Sequence, residues 1–131
     1  MRILPAILAL AFAGCASQPR LTPFATDGCT LFPDGTSQQK DLWLHCCIAH
    51  DRKYWLGGTK ADRLNADHGL RACVAAVGEP KTAKLMLMGV KVGGTPYFPT
   101  SWRWGYGWRY FRGYKPLSDA EKKLIDESPS Q

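Results

Sequence analysis

Apolar residues along this chain recur with three different rhythms. Ile3 to Phe12 is one unbroken apolar run. Leu42, Trp43, Cys46, Cys47, His50 and Tyr54 return at helical spacing, and Leu64, Leu70, Val74 and Val77 form a second stripe of that period. Residues 89–116 have no steady period and are rich in Gly, Pro and aromatics, so they read as irregular or partly β. Thr36 and Gln39 have capping-box spacing, which predicts a helix from Thr36 that Gly57-Gly58 stops. Thr59, with Asp62 three residues on, starts a second helix that Gly78-Glu79-Pro80 ends. So short a break folds the two into an antiparallel hairpin. Asp27 to Thr36 is a loop, and Ser118 to Glu121 opens a short terminal helix. The predicted fold class is mainly α, with no internal repeat.

The N-terminal run is too short to span a bilayer and reads as a secretory signal over residues 1–14. Phe12-Ala13-Gly14-Cys15 resembles a lipobox, which makes Cys15 the lipidated residue; cleavage after Ala13 is the rival reading. Residues 15–26 follow as lipidated cysteine and polar tether, and residues 27–131 form a single domain. Removing Cys15 from the count of five cysteines leaves four, an even number in an exported chain where disulfides persist. The expected location is the bacterial cell envelope, with Ala16 favouring the outer membrane, or secretion if Cys15 is unmodified. Formal charge is +6, and Pro80 to Ser118 carries seven Lys or Arg and no acidic residue. On an exported protein such a balance points to an anionic phospholipid membrane rather than nucleic acid.

The hairpin aligns particular side chains. His50 lies eight residues before Gly58 and Asp67 nine after it, so they stand at nearly one height on facing helices. Asp67 interrupts an apolar stripe, where a carboxylate is costly unless paired. His50 is the obvious partner, and Tyr54, one turn on, can donate its hydroxyl to the same carboxylate. Such a pair is either a buried structural contact or a base that takes a proton from water. Cys46 lies nearer than Cys47 to the level of Cys73, which favours Cys46–Cys73 as the inter-helix staple. Cys47 points about 100° away on the helix and is left with Cys29 in the preceding loop. That bond pins the loop beside Asp51, giving either a hard oxygen site suited to calcium or a surface salt bridge with Lys40, Arg52 or Lys53.

Cys46-Cys47-Ile48-Ala49-His50-Asp51, followed by Tyr54 and by Asp67 six residues before Cys73, resembles the secreted phospholipases A2. The resemblance covers residues 27–77. It implies that His50 is the general base activating water, oriented by Asp67, which Tyr54 hydrogen-bonds. It implies Ca2+ as cofactor on Asp51 and on carbonyls near Gly28, Thr30 and Phe32, and the same two disulfides, Cys29–Cys47 and Cys46–Cys73. The implied reaction is calcium-dependent hydrolysis of the sn-2 ester of glycerophospholipids by a monomer. Here Cys29 is followed by Thr-Leu-Phe-Pro-Asp-Gly-Thr, where the family has more glycine.

Tyr97 to Lys115 holds nine of the fifteen aromatics and four basic residues. The rings either fill a core short of aliphatics or form a membrane interface through Trp102, Arg103, Trp104, Trp108 and Arg109. Lys84 to Val90 adds an apolar rim to a lipid-sized channel. Two other readings compete: a non-catalytic module that binds a membrane or partner, and a zinc site drawn from His45, Cys46, His50 and Cys29 or Cys73. Adjacent cysteines and an oxidising compartment argue against zinc.

Overall fold

The computed structural model describes residues 14 and 16–129. The expected signal segment, apart from Gly14, and the lipidation expected at Cys15 lie outside them. The fold is mainly helical: α1 Leu44–Leu56, α2 Lys60–Ala76, α3 Pro80–Gly93 and α4 Asp119–Asp126. Among the described residues there is no strand, only an isolated bridge between Leu21 and Trp108. No described helix is long and apolar enough to cross a membrane.

The capping signals at Thr59 and Ser118 act as expected. Each side chain accepts from the backbone three residues on, and Asp62 or Glu121 accepts from the cap's own N–H. Thr36 behaves differently. Its hydroxyl does accept from the Gln39 N–H, but Trp43 N–H then reaches back to Asp34 O at 3.0 Å and Trp43 Nε1 to Pro33 O at 2.6 Å. The chain folds on itself there, and helix α1 begins only at Leu44.

Helix α3 runs on to Gly93, which corrects the irregular or partly β expectation for residues 89–93. Pro80 occupies its first turn, and Ala83, Met86 and Leu87 are buried at helical spacing. Val74 of α2 and Ala83 of α3 are fully buried in a cluster with Trp43, Cys46, Cys47, Leu70 and Met86. Nor is the aromatic segment β. Gly105 N–H bonds Tyr54 O at 2.7 Å and Gly107 N–H bonds Trp55 O at 3.1 Å, so its backbone caps the C-terminal end of α1. The Trp104 indole donates to Gly58 O at 3.0 Å and the Trp108 indole to Leu56 O at 2.7 Å. Residues 21–26, expected as tether, are joined to the same region: Trp55 Nε1 donates to Thr22 O, and Tyr106 OH to Ala25 O.

The two disulfides are Cys29–Cys47 and Cys46–Cys73. The first ties the 27–36 loop to α1, and the second ties the first turn of α1 to the last turns of α2.

Helix α4 is held by Arg112, which donates to both oxygens of Glu121 at 2.9 Å. The Arg112 bonds hold the Glu121 carboxyl down at about 2. A lowered carboxylate stabilises the fold above its unfolded value near 4.5, and that contribution fades as pH falls through about 2. Arg112→Met is therefore expected to cost about 1–2 kcal/mol at pH 7 once solvent screening is allowed for, and much less near pH 2. Denaturant midpoints of both proteins at the two pH values measure it.

Candidate active site

The site is built across α1 and α2. His50 Nε2 lies 2.9 Å from Asp67 Oδ1, and Tyr54 OH donates to the same oxygen at 2.6 Å. All three side chains are buried, Asp67 with 1% of its surface exposed. Nε2 is the ring nitrogen that faces Asp67, so which nitrogen carries the hydrogen depends on what that carboxylate oxygen accepts. Burial, then the Asp67 charge, pushes the Tyr54 hydroxyl far up, so it stays protonated and can only donate to the carboxylate. Gly94 passes directly over this group: a Cβ there would stand 2.5 Å from the Tyr54 oxygen.

Asp51 follows His50 on α1 and faces the 27–36 loop. Burial, only partly offset by the hydrogen bond from Thr26 Oγ1 at 2.7 Å, pushes its carboxyl up to about 6, and nearby Asp27 adds to the rise. Gly28 turns the loop with φ +76°; a Cβ there would also meet Asp34 Oδ1 at 2.5 Å. That Asp34 oxygen accepts the Cys29 N–H at 2.9 Å, and Asp27 accepts from the Thr30 hydroxyl. Asp51, half-buried with Asp27 near it, is the carboxylate of this region that could serve a hard divalent cation.

His50, Tyr54, Asp51 and the 28–32 loop open into one cavity of about 260 Å³, with Asp67 behind them. Gly28, Thr30, Phe32, His50, Asp51 and Tyr54 share its wall with Leu70, Met86 and Val90. The sequence-predicted base, carboxylate and loop residues are thus brought together. No family model, curated protein or solved structure matches this chain. What the site can do is read from its own groups: an imidazole held by a carboxylate and the Asp51 carboxylate, both on the wall of a largely apolar cavity, suit proton abstraction beside an apolar ligand.

The aromatic segment is divided. Trp102 is partly exposed and lines the cavity, and Arg109 is exposed. Trp104 and Trp108 are buried, because their indoles serve the end of α1, and Arg103 is turned inward to Thr100 O and Trp108 O. Exposed apolar residues include Leu31 on the loop, Leu85, Met88 and Val92 along α3, and, within the aromatic segment itself, Tyr97, Phe98, Tyr110 and Phe111. Among the described residues zinc has no thiolate to bind. His45 Nε2 lies 3.5 and 3.6 Å from the sulfurs of Cys46 and Cys73, but these form a disulfide.

Met86 and Val90, inside the Lys84 to Val90 stretch expected as an apolar rim, bring α3 into the cavity wall. One contributor escaped the sequence reading. Arg63 is buried four residues before Asp67, a spacing that places both on one helix face.

Proposed function

We propose that this chain is a calcium-dependent phospholipase A2-type esterase. In this reading it hydrolyses the sn-2 ester of glycerophospholipids at a membrane surface, releasing fatty acid and lysophospholipid. The observation that carries it is the buried His50–Asp67–Tyr54 set, whose His50 and Tyr54 line the same apolar-walled cavity as Asp51 and the 28–32 loop. The antiparallel α1–α2 hairpin with its stapled calcium-type loop belongs to the same reading.

Nδ1 of His50 takes a proton from water as the water oxygen bonds the ester carbon. Asp67, acceptor-only while ionised, holds the imidazolium that forms. Nδ1–H then returns the proton to the departing glycerol oxygen as the carbon–oxygen bond breaks. Asp51 and the carbonyls near Gly28, Thr30 and Phe32 would hold Ca2+, which when bound polarises the ester carbonyl and stabilises the negative charge developing on its oxygen. The cavity's apolar wall sheds water around an acyl chain. Leu31, 93% exposed, and Val92, 80% exposed, suit contact with a bilayer, and the seven cations of residues 80–118 suit anionic headgroups. The chain acts as a monomer, anchored through Cys15 at the envelope or secreted.

Asp51→Asn tests the cation half of the reading. Calcium affinity, measured by calorimetry, is expected to fall about 100-fold while the far-ultraviolet spectrum is unchanged. Wild-type protein that takes up no calcium at millimolar concentration overturns it.

A further inference from the structure

Arg63 has a role that follows from the direction of its hydrogen bonds. Its guanidinium is buried, and every bond it makes is a donation. Nε donates to Tyr54 OH at 3.0 Å, Nη1 to Tyr114 OH at 2.5 Å, and Nη2 to Val90 O at 2.8 Å and Lys91 O at 2.9 Å. The last two are carbonyls at the C-terminal end of α3, where a cation is favoured. Arg63 is thereby fixed from α1, α3 and the C-terminal segment together.

A fixed donor next to a hydroxyl dictates where that hydroxyl's own proton goes. Tyr54 oxygen accepts from Arg63, so its hydrogen is directed at Asp67 Oδ1. Asp67 Oδ2 has no hydrogen-bond partner among the described residues and sits 3.8 Å from Arg63 Nε. Asp67 Oδ1 already accepts from Tyr54, so the nitrogen of His50 that faces the same oxygen is the one to carry the hydrogen.

We propose that Arg63 is a positioning residue: it heads a one-way chain of hydrogen bonds, Arg63 to Tyr54 to Asp67, that fixes His50 in the tautomer with its proton on Nε2 and its lone pair on Nδ1. Its catalytic meaning rests on the esterase reading, but the tautomer it sets does not. With Arg63 removed, the Tyr54 hydroxyl is free to rotate or accept, Asp67 loses its neighbouring cation, and the imidazole can exchange tautomers. Arg63 touches neither substrate nor cation in this scheme.

Two measurements on the full, disulfide-bonded protein test this. The first is imidazole 15N NMR at fixed pH. Wild type is expected to show one His50 tautomer, and Arg63→Met a mixture, with Arg63→Lys between them. The same single tautomer in folded Arg63→Met overturns the proposal. The second is a double-mutant cycle on ester hydrolysis with Tyr54→Phe. Arg63→Met is expected to lower kcat about 30-fold with KM changed less than threefold, and to lower it less than threefold further when Tyr54 is already Phe. Fully additive losses mean that Arg63 acts only on overall structure, which also overturns it. A wild type without esterase activity defeats the functional reading alone, since the NMR result still decides the role of Arg63. Tyr114→Phe, which removes one of the anchoring bonds and keeps the chain, is expected to leave the tautomer single.

Discussion

His50→Gln is expected to abolish ester hydrolysis, and Asp67→Asn to lower kcat by about 10³–10⁴. Glutamine can fill the imidazole's space and hydrogen-bond Asp67, but it has no basic nitrogen to take a proton from water. Asparagine keeps nearly the shape of Asp67 and loses its charge. Its amide can satisfy His50 in the wrong tautomer, with the Nε2 lone pair turned to the amide N–H and the proton moved to Nδ1, where the base must act. The same change leaves buried Arg63 without its anion, 3.8 Å away, and is expected to cost about 1–3 kcal/mol of stability. Rate measured at saturating substrate, beside the melting temperature, separates the two losses. The drop in kcat should far exceed anything a small unfolded fraction at 25 °C can produce.

The second large effect is on stability. Removing the Cys46–Cys73 bond as the Cys46→Ala/Cys73→Ala pair releases a loop with a sequence separation of 27 and is expected to cost about 3–4 kcal/mol. The bond joins the helices that hold His50 and Asp67, and Cys46 lies inside the main apolar cluster. Alanine in its place also leaves packing unfilled around Val74 and Trp43. Thermal unfolding should shift down by roughly 10–20 °C for a domain of this size. Breaking Cys29–Cys47 instead should cost less, since its separation is 18 and it anchors a loop rather than two helices. Its larger consequence is expected at Asp51, where calcium affinity should fall because the loop is no longer pinned.

The pairings between α1 and α2 were legible because they depend on little beyond rise per residue and a short break at Gly57-Gly58. Given those, His50 meets Asp67 and Cys46 meets Cys73 whatever the rest of the chain does. Signals that needed tertiary partners were read less well. Thr36 forms its local turn, yet Trp43 bonds back to Pro33 and Asp34 and delays α1 to Leu44. Trp104 and Trp108 have the composition of a membrane belt, but the unpaired carbonyls at the end of α1 draw their indoles inward. Helix α3 was hidden by its glycines, which weaken a helical pattern while Ala83, Met86 and Leu87 carry it. Arg63 was invisible for a different reason. A surface arginine and one that fastens four elements look alike until the partners from Tyr54 to Tyr114 are in place.

If one cavity combines an oriented imidazole with a calcium site to cleave a phospholipid ester, mixed anionic liposomes report it through fatty-acid release, measured with calcium and with chelator, for the wild type and for His50→Gln. Release is expected from the wild type in calcium only, and none from His50→Gln under either condition. Folded, fully disulfide-bonded wild type that binds the liposomes and releases no fatty acid in calcium would contradict it. The α1–α2 pair would then be a scaffold, and the exposed apolar residues of α3 and its flanking loops would carry the protein's activity at the membrane.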